Sequence, residues 1–97
     1  MPGTNEIALE VRVSAPEGIQ AYGFAYGGKP VIMHGGEGQF VAVSGKSRLL
    51  EWGMVGEPGG HMTVEVLRDG AVIKKREKSE IVPPMTKGYD AFAIVLA

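Results

Sequence analysis

The chain contains no cysteine, no long apolar run and no excess of charge of either sign. Without cysteine it can form no disulfide, no thiolate nucleophile and no cysteine-ligated zinc site. No stretch reaches the roughly 18 apolar residues that a membrane-spanning helix needs, so we expect no membrane insertion. The formal net charge of -1 lacks the basic surplus that is typical of nucleic-acid binders, so no nucleic-acid partner is expected.

A signal peptide is also missing from the chain as written. The first six residues, MPGTNE, offer neither a basic start nor an apolar stretch. A cytoplasmic location therefore fits this sequence, and export fits it if a leader was removed before residue 1. The lack of cysteine does not decide between the two compartments.

Glycine and proline are abundant, with 15 and 6 among the 97 residues. This excess indicates many turns and favours β structure over helices. The length predicts a single domain over residues 1–97, in which a modest core buries only about 60–65% of the unfolded surface. No internal repeat and no linker divides the chain.

Apolar and polar residues alternate along several segments. In residues 6–14, EIALEVRVS, every second side chain is apolar, which is typical of a strand with one buried and one solvated face. Asp69-Gly70 is the strongest hairpin signal, because a two-residue type I′ turn needs φ > 0 at both positions. Further turns are expected at Ala15–Gly18 and at Glu57–Gly60. The spacing of turns, about every 8–12 residues, predicts an all-β, antiparallel β-sandwich of seven or eight strands.

Length, strand number and a single tryptophan, Trp52, in a mid-chain strand are similar to those of immunoglobulin-like and fibronectin-like sandwiches. The resemblance is architectural and spans the whole chain, and it implies a module that adheres, spaces or recognises. The cysteine pair of antibody domains is absent, and TKGYDAFA lacks the spacing of a tyrosine corner. Transthyretin-like and jelly-roll sandwiches are alternatives, and none of these folds implies a function by itself.

No segment carries a recognisable catalytic or metal-binding pattern. The segment Ser44–Ser47, SGKS, matches the end of a phosphate-binding loop but lacks the required glycine five positions before Gly45 and the helix that should follow. His34 and Glu37 flank flexible glycines, which orient metal ligands poorly. No serine stands in a recognisable setting with a base and an orienting group. We therefore expect no enzymatic activity, no cofactor and no metal site.

A run of charge, KKREK, occupies Lys74–Lys78. Strand alternation sends Lys74 and Arg76 to one side and Lys75 to the other, and no aromatic residue is interleaved for stacking on bases. The run therefore favours protection of an exposed sheet edge over a phosphate-binding patch, because lysines discourage edge-to-edge pairing.

The segment from residue 19 to residue 26, IQAYGFAY, is apolar on both faces of the expected strand. Tyr22, Phe24 and Tyr26 share one face, while Ile19, Ala21, Gly23 and Ala25 form the other. Core packing is the default for the aromatic face, yet a strand without a polar face lies between two layers or contacts a partner. Tyr22, Phe24, Tyr26 and Ile19 are thus the candidate interface residues, most simply in a homodimer.

These observations predict a non-catalytic β-sandwich module that acts through its surface in structural, adhesive or assembly interactions, with a protein partner or a second copy. The alternative is a module that binds carbohydrate or a small ligand through Tyr22, Tyr26 or Trp52, assisted by Glu51 or His34. The apolar neighbours of Trp52 make it a core anchor rather than a platform.

Overall fold

The computed structural model describes residues 5–96, which form seven strands and no helix. Every strand pairing is antiparallel, so the all-β antiparallel prediction is confirmed. None of the described residues forms a helix long and apolar enough to cross a membrane. The strands are β1 (Glu6–Tyr26), β2 (Lys29–Val31), β3 (Met33–His34), β4 (Glu37–Val43), β5 (Ser47–Arg68), β6 (Ala71–Glu80) and β7 (Lys87–Val95).

Two long strands, β1 and β5, pair with each other along most of their length and organise the sheet. Straight strands of 21 and 22 residues would each span roughly 70 Å, at about 3.3 Å per residue. The longest dimension of the molecule is 50 Å, so both strands must bend.

The bend divides the sheet into two halves that share β1 and β5. The β4–β6 half consists of β4, β1 residues 6–14, β5 residues 61–68 and β6. The β2–β7 half consists of β2, β1 residues 21–26, β5 residues 47–55 and β7. Each half of the sheet therefore contains one part of β1, one part of β5 and two shorter strands.

The inner faces of the two halves contact each other across an apolar core. The ring centroids of Tyr26 and Phe40 lie 4.6 Å apart, although the two residues belong to different halves. The Lys74 ammonium of β6 lies 5.5 Å from the centroid of the Phe92 ring of β7. The strand pairing describes one continuous sheet of seven strands, so the β-sandwich and its immunoglobulin-like or fibronectin-like form remain predictions. The completely buried side chains include Leu50, Trp52, Met54, Val11, Val64, Val66, Met62 and Ile81.

The bend replaces two turns that the sequence predicts. A reversal at Glu57–Gly60 is wrong, because β5 continues through this segment. Gly56 pairs with Ile19 and His61 pairs with Glu17, so β5 stays beside β1 on both sides of Pro58. Likewise Ala15–Gly18 does not end β1 but shifts its register, as a bulge does, and bulged strands bend. By contrast, the Asp69-Gly70 hairpin is confirmed, with φ of 51° and 82°.

Three glycines bring the two long strands into backbone contact at the bend. Gly18 has a φ of 68°, which favours glycine, and its carbonyl oxygen points at Gly56 and Gly60. A Cβ atom on Gly60 would lie 2.5 Å from that oxygen, and one on Gly56 would overlap it. The segment after β6 also pairs with β5 at the bend. The N–H of Gly59 donates to the carbonyl of Ile81, and the N–H of Ile81 donates to the carbonyl of Gly60, at 2.8 Å each.

We predict that Gly56→Ala lowers the free energy of unfolding by about 2–3 kcal/mol, because the new methyl group cannot fit without moving the backbone of Gly18. Urea denaturation followed by Trp52 fluorescence measures this loss. Gly23→Ala is the matched control, because nothing lies within 4 Å of its added Cβ and it should change stability by less than about 0.5 kcal/mol. Equal effects of the two substitutions would show that the bend does not depend on this contact.

Candidate functional site

The aromatic stripe of β1 faces the core. Phe24 and Tyr26 are buried, while Tyr22 and Ile19 are partly buried and pack against the same cluster. The Phe24 ring lies 5.3 Å from that of Trp52, which is itself buried as predicted. A partner that contacts this segment of β1 therefore meets its other face, and the interface assigned to Tyr22, Phe24, Tyr26 and Ile19 remains a prediction.

A buried polar chain joins β6 to β7 across the core. Trp52 Nε1 donates to Ser79 Oγ at 2.8 Å, and Ser79 donates its own proton to Asp90 Oδ2 at 3.0 Å. Arg76 Nε lies 3.1 Å from the same carboxylate, an ion-pair distance without hydrogen-bond alignment, and its Nη2 donates to the Ala91 carbonyl at 3.1 Å. Because Ser79 is 1% exposed and its proton is engaged by Asp90, it stabilises the fold and is not placed as a nucleophile.

We predict that Ser79→Ala destabilises the protein by about 1–3 kcal/mol, because the buried Trp52 N–H loses its acceptor. Thermal and urea unfolding measure the change. Ser47→Ala, which alters an exposed serine at the start of β5, should cost less than about 0.5 kcal/mol. If both variants are as stable as the parent protein, the buried hydrogen bonds do not support the fold as described.

The outer face of the β2–β7 half is flat and nearly free of charge. Gly23, Gly53 and Tyr89 lie side by side across β1, β5 and β7, and the next row is Ala25, Glu51 and Ala91. Several large apolar side chains of this face are exposed to solvent. Its members are Ala21, Gly23, Ala25, Pro30, Ser47, Leu49, Glu51, Gly53, Val55, Lys87, Tyr89, Ala91, Ala93 and Val95.

The outer face of the β4–β6 half has the opposite character. Arg12 lies 3.3 Å from Glu10 and 3.5 Å from Glu37, measured between side-chain nitrogen and oxygen. Lys75 similarly lies 3.8 Å from Glu65 and 3.7 Å from Glu77. Ion pairs at exposed positions contribute little stability, but they keep this face solvated. The two outer faces of one sheet therefore differ in charge, although Val41 on the β4–β6 face is also exposed.

Tyr89 stands above the flat face and is 68% exposed. Its hydroxyl donates a hydrogen bond of 2.9 Å to Glu51 Oε2, and this bond, helped by the negative charge of Glu51, raises the pKa of Tyr89 above its ordinary value of 10.0. A shallow depression of about 240 Å³ lies beside the ring, over Gly23, Ala25 and Gly53. The site thus offers an aromatic ring, a carboxylate and a floor without bulky side chains, which suits stacking and hydrogen bonding.

Tyr89 is not among the candidate residues predicted from the sequence. The signal was available, because strand alternation places Tyr89 on the same face of β7 as Ala91, Ala93 and Val95. The sequence predicts Glu51 only as a polar partner of Tyr22, Tyr26 or Trp52, of which Tyr26 and Trp52 are buried and Tyr22 is partly buried.

We predict that Tyr89 ionises at a higher pH than an ordinary tyrosine and that Glu51→Gln lowers its pKa, because the negative acceptor is removed. A spectrophotometric titration measures this pKa, with Tyr89→Phe identifying its contribution among the three tyrosines. Since the pKa is raised in the folded state, the stabilisation from this bond is present below pH 10 and is lost as the pH rises through the raised pKa. An unchanged midpoint in Glu51→Gln would contradict the assignment.

The two histidines lie apart from this face. His34 pairs with Glu37 between β3 and β4, and His61 Nε2 lies 3.4 Å from Glu17 Oε2 near the bend. Within residues 5–96, no three side chains among His, Cys, Asp and Glu come together as a potential metal site. In the part of the chain that the structure describes, neither histidine forms a hydrogen bond with a serine or threonine hydroxyl.

The charged run of β6 lies at an edge of the sheet, as the edge-protection interpretation expects. Its alternate side chains serve two faces: Lys75 contacts acids on the outer face, whereas Lys74 and Arg76 reach the ring of Phe92. The cations are therefore divided between two surfaces and do not form one basic patch.

Comparison of the chain with protein-family models, with curated proteins and with solved structures found no match.

Proposed function

We propose that this protein is a non-catalytic β-module that self-associates through the outer face of its β2–β7 half. The observation that carries the proposal is the contrast between the two outer faces. One face carries the ion pairs of Arg12 and Lys75, and the other exposes Leu49, Val55, Tyr89 and Val95 around small residues. A contiguous apolar patch of this kind marks an interaction surface more often than isolated exposed residues do.

A second copy of the chain fits this face because the face is self-complementary in both charge and shape. Two of its members are charged, the acid Glu51 and the base Lys87, so a twofold arrangement can place opposite charges together. It also offers a protruding ring, Tyr89, beside the depression over Gly23 and Gly53. In an isologous dimer each ring would occupy the depression of the partner, and a buried tyrosine removes about 150–250 Å² from water.

The size of the face sets the expected affinity. Three strands about 4.8 Å apart and nine residues long cover an area of about 15 by 30 Å. This is about 450 Å² per copy, below the roughly 800 Å² per partner of a standard stable interface. We therefore expect a dimer with a dissociation constant in the micromolar range or weaker, which forms at high local concentration.

The same geometry supports a two-layer interpretation of the fold. The contacts of Tyr26 with Phe40 and of Trp52 with Ser79 cross from one half of the sheet to the other. We propose that the folded sheet is a β-sandwich in which β1 and β5 belong to both layers. The proposal shares with immunoglobulin-like folds two packed antiparallel layers, and it does not extend to their strand order.

Self-association is tested by sedimentation velocity over a concentration series from about 1 μM to 1 mM. We predict that the parent protein shifts towards the dimer and that Gly23→Arg stays monomeric, because arginine fills the depression and brings charge into the interface. The position tolerates the change, since nothing lies within 4 Å of a Cβ at Gly23. Val72→Arg adds the same charge at an exposed position of β6 and should dimerise normally. A parent protein that is monomeric at 1 mM would overturn the proposal.

Carbohydrate binding at the same depression is the second candidate function. The pairing of an exposed ring with a carboxylate, Tyr89 with Glu51, favours it, because sugars stack on aromatic rings and donate hydrogen bonds to carboxylates. A glycan panel with parent protein and Tyr89→Ala separates the two functions. Specific binding that Tyr89→Ala abolishes, in a protein that remains monomeric, would replace self-association with sugar recognition.

A further inference from the structure

The sheet has an open seam between β2 and β4. β4 pairs with β1 along one edge, but on its other edge β3 reaches only Glu37 and Gly38. Along residues 39–43 that second edge has no partner among the described strands. β2 pairs with β1 by one edge only, and its other edge faces the same gap. Within the described residues, backbone N–H and C=O groups of β4 are thus available to a further extended chain, whereas Pro30 in the middle of β2 has no N–H to donate.

A cleft of about 380 Å³ lies in this seam and is lined by both charged and apolar groups. Lys29 and Arg48 border it, and no described carboxylate lies within 4.0 Å of either cation. Tyr26 also lines the cleft; the residue is 7% exposed, and its buried hydroxyl has no hydrogen-bond partner among residues 5–96. A buried hydroxyl without a partner is costly and is uncommon in folded proteins. Together these groups form a site rich in donors and positive charge, although the carboxylate of Glu6 also lines the cleft.

At the opposite seam, between β6 and β7, polar side chains of the two strands contact each other. There Ser79 and Arg76 reach Asp90, and Arg76 also reaches the Ala91 carbonyl. The β6 edge in addition carries the lysines that discourage strand addition. The free segment of β4, QFVAV, has neither charge nor proline, so nothing in its sequence opposes pairing with another strand.

We propose that the β2–β4 seam binds an extended peptide segment that carries an acidic side chain. The peptide adds as a strand to β4 at residues 39–43, and its carboxylate lies between Lys29 and Arg48, where it accepts a hydrogen bond from the Tyr26 hydroxyl. Strand addition derives affinity from main-chain hydrogen bonds and specificity from side-chain pockets. This site is separate from the self-association face, which lies on the outside of the β2–β7 half.

Two features favour a peptide over other anionic ligands. A small anion would meet the cations but would leave the free backbone edge of β4 unpaired. A polyanion would meet Glu6, which also lines the cleft and pairs with Val43 at the end of β4. One carboxylate on an extended chain satisfies the edge, the two cations and the hydroxyl together.

The test uses an acetylated and amidated hexapeptide of alternating valine and threonine in which one central residue is glutamate. Titration into ¹⁵N-labelled protein should shift the amide signals of residues 39–43 and slow the hydrogen exchange of their free amides at least tenfold. The glutamine version of the peptide should bind at least tenfold more weakly. Arg48→Gln should weaken binding of the glutamate peptide to a similar extent, whereas Arg68→Gln, an exposed arginine elsewhere on β5, should not.

Tyr26→Phe keeps the buried ring and removes only the hydroxyl, so it should fold and bind the glutamate peptide more weakly. Equal binding of the glutamate and glutamine peptides, or shifts confined to the outer face of the β2–β7 half, would overturn the proposal. Acetate or inorganic phosphate that reproduces the shifts without protecting residues 39–43 would overturn strand addition and leave a simple anion site. Repeating the titration with Gly23→Arg separates this result from self-association, because that substitution lies outside the seam.

Discussion

The fold depends on one close backbone contact, the approach of the Gly18 carbonyl to Gly56 and Gly60. Only residues without a Cβ can occupy the two β5 positions, and the register of β1 against β5 shifts in the same region. If the strands were straight, the inner faces of the two halves could not meet, and Tyr26 would not reach Phe40. The burial of Trp52 and of the other core residues follows from this bend. A few glycines therefore determine which apolar side chains are removed from water and stabilise the fold.

The bent sheet has two outer faces and two seams. The two faces differ in charge, and the two seams differ in how many of their polar groups are paired. Charge is concentrated on one outer face, at Arg12 and Lys75, and is sparse on the other. One seam is closed by Asp90 and its partners, whereas the other retains Lys29, Arg48 and a Tyr26 hydroxyl that has no partner among the described residues. The self-association face and the β2–β4 seam are therefore the two regions that expose apolar side chains or retain unpaired groups within the described residues.

Local signals in the sequence predicted local features well. Asp69-Gly70 forms the expected hairpin, because the left-handed conformations it needs depend on those two residues alone. The burial of Trp52 followed from the parity of its neighbours. The reversal expected at Pro58-Gly59 failed for a non-local reason: such a segment can turn or bend, and the outcome depends on which strand lies alongside it. The exposure of Tyr89 and the open edge of β4 were also hidden, since both depend on partners distant in sequence.

Because β1 and β5 each run through both halves, neither half can exist as a separate folding unit. Within this one pair of strands Glu10 pairs with Leu67 and Tyr26 pairs with Leu50. Long loops of chain must therefore be closed before most contacts can form. Proteins dominated by such non-local strand pairing fold on the scale of milliseconds to seconds. The shared strands should also make unfolding a single cooperative event, in which loss of order at one end of the molecule is transmitted along the backbone to the other.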